Sequence, residues 1–403
     1  VSATVTAQGR SGDHLRRRES YEKGVAQYYA EELVAAEAFL QETVDTRPDE
    51  LDALYLLART KWKRKDLRGA LRIFQRLLSE KPDFAPALTD TAQLLLEGLK
   101  NAEGAERFSR RAIEADPLYA PAYVLLGNSH LAQGNAGSAC DSYHEALRIN
   151  PRLADPLVNL GVLLHEKGDV AGALSHYERA LHMDPSHCNA HWNRGNALLA
   201  LGRLKEGWKD YEYRFRIQGP NACSCDPERF LTPWDGSPFD GRRLLVYGEQ
   251  GFGDVLQFSR FLPLVKARGG TVIFECPKEL LMLFNESPGI DSITSSEAPV
   301  SREAYDLAAP LLSLPALLGL GEESVQWNGP YLSPDPKIVE RYRGRFDRTA
   351  ISVGIVWAGS QYHRNDQARS CSKEEILRLA DVGGIRLFSL QKHRAAEENS
   401  LPP

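Results

Sequence analysis

The chain has 403 residues, 42% of them hydrophobic and 26% charged, with a formal net charge of −5. That length exceeds what one hydrophobic core usually serves, so two or more domains are expected, and the composition is that of an ordinary folded protein. No basic excess exists to neutralise a phosphate backbone, which argues against general nucleic-acid binding, and no stretch approaches the ~18 uninterrupted apolar residues of a membrane helix.

Residues 1–16 form a polar leader without the apolar core of a secretory signal. Position 1 is Val rather than Met, so a trimmed or fragmentary start is expected. The run Arg16-Arg17-Arg18 reads as a solvated charge cluster. Six cysteines without framework spacing suggest a reduced, cytoplasmic chain. Cys223-Ser224-Cys225 has half the form of a metal site, but no second pair stands at zinc-ligand spacing, so no metal is expected.

From residue 17 a repeat takes over. Prolines 48, 82, 117, 151 and 185 are separated by 34, 35, 34 and 34 residues. One unit places Tyr123, Leu126, Gly127, His130, Ala139, Tyr143, Ala146 and Pro151 in an order of large, small, aromatic and proline positions. The next repeats it with Leu157, Leu160, Gly161, Leu164, Ala173, Tyr177, Ala180 and Pro185, and Leu54, Leu57, Ala58, Ala70, Phe74 and Pro82 fit the same frame. The small residues let two antiparallel helices approach at their crossing, and the aromatics fill the space beside them. Gly134 and Gly168 supply the turn between helices, and each proline closes a unit. The extra residue of the third unit fits a loop near Gly98–Asn101.

This pattern resembles the tetratricopeptide repeat (TPR), whose period is ~34 residues. The resemblance covers residues 17–215 as five repeats and a partial sixth; the first is degenerate, held by Ala36 and Pro48, and the sixth begins with Ala190, Trp192, Gly195, Leu198, Gly202 and Tyr211. Such units stack into an α-solenoid with a concave groove lined by the first helix of each pair. Asn128, Asn159, Asn193 and Asn196 recur on these first helices, as candidates for binding the backbone of an extended peptide or as ordinary solvated positions. Cys140, His144, His165, His176 and His191 need no role beyond packing or solvation.

Residues 216–240 are rich in turn formers and read as a linker. Beyond them strands and helices alternate. Strands are expected at Arg243–Tyr247, Thr271–Glu275, Asp291–Thr294, Tyr305–Ala308, Ile351–Val356 and Ile385–Leu390. Helices are expected at Val255–Val265, Lys278–Phe284, Leu314–Leu320 and Lys373–Ala380. Alternation of this kind implies a doubly wound parallel sheet.

The loop Gly248–Asp254 lies between the first strand and its helix, where free N–H groups suit an anion or a sugar hydroxyl. Asp254 there is either a helix-capping carboxylate or a general base. Gly251-x-Gly253 with Glu275 on the second strand also suggests dinucleotide binding, although the third fingerprint position is Leu256.

Four segments carry a second resemblance. They are Trp234-Asp235-Gly236, the run from Tyr247 to Phe258, Pro310–Pro315, and Val353–Ser360. Together they resemble bacterial TPR–glycosyltransferase fusions, similar to ADP-heptose:lipopolysaccharide heptosyltransferases and, more distantly, to protein O-GlcNAc transferases. The resemblance implies an α + α/β protein, with the solenoid followed by a GT-B enzyme. Its Rossmann-like acceptor domain would be residues 241–349, and 350–403 would begin a donor domain that needs ~150 residues. The resemblance implies Asp254 as base, Gly251, Gly253 and Gln257 at the acceptor site, and Gly359, Ser360, His363, Asn365, Asp366, Arg369 and Lys392 on the donor side. It implies a nucleotide-sugar as donor substrate, no cofactor, and an acceptor recruited by the TPR groove. A non-catalytic scaffold is the alternative, with the α/β part as remnant.

Overall fold

The computed structural model describes residues 19–217, 231–324, 329–344, 346, 350–359 and 370–391. Chain contacts group these into two compact units, one running to Ser237 and including Ala309–Gln326, the other comprising Pro238–Ala308 and the residues from Trp327 onward.

The first unit is helical. Helix α1 (19–29) pairs with α2 (Leu33–Thr46), α3 (Leu51–Lys63) with α4 (Leu67–Glu80), and α5 (Ala85–Gln93) with α6 (Ala102–Ala115). Then α7 (Ala120–Ala132) pairs with α8 (Ala136–Ile149), α9 (Ala154–Glu166) with α10 (Val170–Met183), and α11 (Cys188–Ala200) with α12 (Leu204–Tyr211). Pro48, Pro82, Pro117, Pro151 and Pro185 each stand two residues beyond the end of a second helix. The small residues do what their spacing requires. A β-carbon on Gly127 would lie 2.4 Å from the Tyr143 ring, and one on Gly161 would lie 2.4 Å from Tyr177. Both rings are fully buried. Side chains of Asp66, Asn101 and Asp169 cap α4, α6 and α10 by accepting from Gly69, Gly104 and Gly172 N–H.

The turn from first to second helix needs a left-handed residue. Gly134, Gly168 and Gly202 hold it at φ +80°, +86° and +77°. In the first three repeats the same turn is made by Glu31, Lys65 and Lys100, at φ 60°, 69° and 54°. A side chain there costs about 1–2 kcal/mol. Lys65→Gly is therefore expected to stabilise the solenoid by about 1 kcal/mol, seen as a higher urea midpoint, while Gly168→Lys lowers it.

One expectation is corrected. The extra residue of the third repeat is absorbed in helix rather than in a loop near Gly98–Asn101: α5 continues as a π-turn over Leu94–Gly98, with Leu99 N–H bonding Leu94 O at 3.2 Å. Leu94 and Leu95 are buried. Widening one turn keeps both in the core, whereas leaving the register unchanged would rotate one toward solvent.

Residues 309–324 belong with α12 in the helical unit, though sequence places them with the sheet. Arg214, 3% exposed, donates to Ser313 Oγ at 2.7 Å and pairs with Glu212 at 2.6 Å. Glu322 accepts from Leu204 N–H at 2.7 Å, setting a carboxylate at the N-terminus of α12. Leu311, Leu312 and Leu314 are buried.

In the second unit β1 (Arg243–Tyr247), β2 (Thr271–Cys276), β3 (Ser292–Ser295) and the start of β4 (Leu307–Pro310, whose first two residues belong to this unit) form a sheet of order β3-β2-β1-β4. Strands β1, β2 and β3 run parallel, with Leu245 opposite Ile273 and Phe274 opposite Ile293. Both β1 and β2 are buried beyond their first residues, Glu275 included, as parallel strands covered on both faces require. A separate parallel pair joins β5 (Ile351–Ile355) and β6 (Ile385–Ser389). The fourth strand starts two residues later than sequence suggests, because Asp306 is spent on Arg243, accepting from its N–H at 2.8 Å and pairing with its guanidinium at 2.9 Å. The helix Pro336–Arg343 was not expected from sequence. No helix among the described residues is long and apolar enough to cross a membrane.

Candidate functional site

The first helices of the repeats bring polar side chains into register across neighbouring units. Asn128 on α7 and Asn159 on α9 meet directly: Asn159 Nδ2 donates to Asn128 Oδ1 at 3.0 Å. The same oxygen accepts from Tyr143 Oη at 2.8 Å. One acceptor thus takes two donors, leaving the Asn128 amide N–H groups and the Asn159 carbonyl oxygen unspent among the described residues. A peptide group offers the complementary carbonyl and N–H. Asn193 is half-buried and makes no side-chain hydrogen bond among the described residues. Asn196 donates one amide N–H to Trp192 O at 2.9 Å within its own helix, which leaves its second N–H and its oxygen for a ligand.

Sequence reading missed the matching contact two repeats earlier. Arg59 on α3 and Asp90 on α5 stand the same 31 residues apart as Asn128 and Asn159, and their charged atoms lie 3.5 Å apart. Tyr55 Oη donates to Asp90 at 2.8 Å, and the Arg59 guanidinium lies over the rings of Tyr28 and Tyr55. Burial raises the Asp90 carboxyl above its ordinary value, against the lowering effects of Tyr55 and Arg59. The 31-residue step was the available signal. It links the ninth residue of one first helix to the sixth of the next.

Tyr143 and Tyr177 occupy equivalent positions but differ in partners. Where Tyr143 finds Asn128, the corresponding residue near Tyr177 is Val162, and the Tyr177 hydroxyl is buried without a hydrogen-bond partner among the described residues. Burial pushes both phenols well up. Tyr177→Phe is expected to raise stability by about 1 kcal/mol, and Tyr143→Phe to lower it by about as much, in paired urea titrations.

In the α/β unit the loop after β1 leads into helix Phe252–Phe258, whose N-cap is Gly251. Asp254 is therefore not the capping residue. It sits in the first turn, partly exposed, and its carboxylate makes no hydrogen bond or ion pair among the described residues. A β-carbon on Gly251 would meet only Asp254, at 3.6 Å, and one on Gly253 would meet nothing, so the backbone is open to approach on this side. Gln257 is exposed on the same helix. Glu275 is 2% exposed, a poor position for gripping a ribose, and the dinucleotide alternative gains nothing from it.

The loop after β5 is closed by side chains. Gln391 Oε1 accepts from the N–H groups of Trp357 and Ala358, at 3.2 and 3.0 Å, and Ser370 Oγ accepts from Gly359 N–H at 3.1 Å. Three successive backbone donors are thus already engaged. Ser360, His363, Asn365, Asp366, Arg369 and Lys392 lie outside the described residues, as do Cys223 and Cys225. No group of three metal-ligating side chains is found among the described residues.

Sequence models of the tetratricopeptide repeat match residues 28–94 and 89–154, and a TPR-repeat model matches 163–202. The helical unit is thus built of TPR repeats, a class of module suited to protein–protein contact. Protein FlbA of Caulobacter vibrioides is 26% identical over 405 aligned residues, spanning 86% of this chain and 67% of FlbA. Among solved structures, a TPR protein of Thermus thermophilus is similar at 22% identity and TM-score 0.40, over 45% of this chain and 99% of that one. A Pseudomonas aeruginosa pilF structure is similar at 16% identity and TM-score 0.43, over 51% of this chain and 91% of that one.

Proposed function

We propose that the TPR solenoid holds an extended polypeptide along its first helices, with Asn128, Asn159, Asn193 and Asn196 contacting the peptide backbone. The observation that carries this reading is the Asn128–Asn159 bond across two repeats, which sets the unspent Asn128 N–H groups beside the unspent Asn159 carbonyl oxygen. Recognition through backbone groups favours shape and extension over one particular sequence. The test is selection of peptides from a random display library on the full chain, followed by calorimetry. Asn128→Ala with Asn159→Ala is expected to weaken the selected peptides about tenfold or more. Undiminished affinity in that variant would remove the reading.

A second reading is favoured by the strand order β3-β2-β1-β4 and by the open Gly251-x-Gly253-Asp254 turn beyond β1. In it, residues 241–349 form a Rossmann-like acceptor domain of a glycosyltransferase and 350–403 begin the donor domain. Asp254 deprotonates an acceptor hydroxyl, Gly251, Gly253 and Gln257 shape its site, and the donor is a nucleotide-sugar. Nucleoside diphosphate release would be measured over a panel of donors for the chain and for Asp254→Asn. Release lost in the variant supports this reading, and equal background in both rejects it.

A further inference from the structure

Beside the last repeat lies a cleft that neither reading uses. Its volume is about 520 Å³, within the range of ligand sites, and it is bounded by α12 with the turn that follows on one side and residues 315–320 on the other. Its apolar and aromatic lining comprises Trp208, Tyr213, Pro315, Leu317 and Leu320. Its rim is cationic. Lys205 and Lys209 stand one helical turn apart on α12, both exposed and without an ion-pair partner among the described residues. Arg216 follows beyond the turn, its guanidinium 4.9 Å from the Tyr213 ring centroid.

The one carboxylate lining the cleft among the described residues, Glu212, is already held. It pairs with Arg214 at 2.6 Å and accepts from Ser313 Oγ at 2.8 Å. The cleft therefore keeps a local positive charge on a chain whose net charge is −5. Three cations separated along the chain, Lys205 and Lys209 one turn apart on α12 and Arg216 beyond the turn that follows it, match a row of carboxylates better than a single phosphate. The apolar floor between them asks for one large hydrophobic side chain.

We infer that this cleft is a docking site for an acidic peptide segment carrying a single aromatic or aliphatic anchor. The anchor fills the space between Trp208 and Leu320, and the flanking carboxylates meet Lys205, Lys209 and Arg216. The surface lies on a second helix of its repeat, so it is distinct from the asparagine face carried by first helices.

The probe is a blocked, fluorescein-labelled peptide with one phenylalanine between two pairs of glutamates, titrated with the full chain by anisotropy. Saturable binding is expected, weakening as salt is raised and at least about tenfold weaker in K205E/K209E. Asn128→Ala with Asn159→Ala should leave it unchanged. Because both lysines are exposed, circular dichroism of K205E/K209E should match the parent, and K205Q/K209Q should fall between. The inference is overturned by absence of saturable binding, by equal binding in K205E/K209E, by loss confined to the asparagine variant, or by inorganic phosphate displacing the peptide at low millimolar concentration.

Discussion

Gly161→Ala is expected to destabilise the solenoid by about 1–3 kcal/mol, and the double change with Gly127→Ala by about 2–6 kcal/mol. One methyl group has this effect because its position is already taken: a β-carbon would stand 2.4 Å from the Cε1 atom of a fully buried tyrosine in each case. A flexible chain end would swing aside, but a ring packed on all sides must push its neighbours or tilt its helix. The measurement is the urea midpoint of the full chain followed by helical circular dichroism. A coupling test accompanies it. Tyr177→Leu alone opens a cavity and costs several kcal/mol, roughly 3–5 at most. Combined with Gly161→Ala it should cost less than the sum, since the added methyl enters space the ring has left. Strict additivity would show that the clash is relieved elsewhere.

Asp210→Ala is expected to cost about 2–4 kcal/mol, concentrated in the last repeat. Asp210 is 4% exposed and accepts from Arg194 Nη2 at 3.1 Å, while His191 Nδ1 lies 3.0 Å from the same oxygen. These contacts tie α11 to α12, whereas the two preceding repeats set a tyrosine against a glycine. Removing the carboxylate takes away the ion-pair partner of a guanidinium that is 28% exposed at its side chain, and this partial exposure, with Glu178 and Glu206 nearby, keeps the cost below that of a fully buried orphan. Repeat units couple mainly to their neighbours, so hydrogen exchange should quicken in α11 and α12 and hardly change in α3 and α4. Asp210→Asn, which keeps the shape and an acceptor, should lose less.

The solenoid was legible because its constraints are local and recur. Gly127, Gly161, Tyr143 and Tyr177 announce a close helix crossing at fixed spacing, and the prolines mark where each unit closes. Parallel strands β1 and β2 were legible from short apolar runs, Leu244–Tyr247 and Val272–Phe274, close to turns. What sequence did not reveal depends on contacts across space. The π-turn at Leu94–Gly98 reflects a choice between adding loop and keeping two leucines buried. Attachment of residues 309–324 to α12 depends on Arg214, Ser313 and Glu322, which carry no periodic signal. In the candidate site, the four asparagines share one residue type but not one environment: two bond each other, one bonds its own helix, and one is unspent. Arg59 and Asp90 escaped notice because their 31-residue step joins two unlike residue types, and a search for repetition finds only like ones.

Hydrogen exchange of the full chain, with and without a peptide selected on it, tests the central claim most directly. A polypeptide held along the repeats should slow exchange in α7, α9 and α11 together, with little change in α8 and α10, and Asn128→Ala with Asn159→Ala should erase that protection. Protection confined to α8 and α10, or appearing only around β1 and β2, would contradict it.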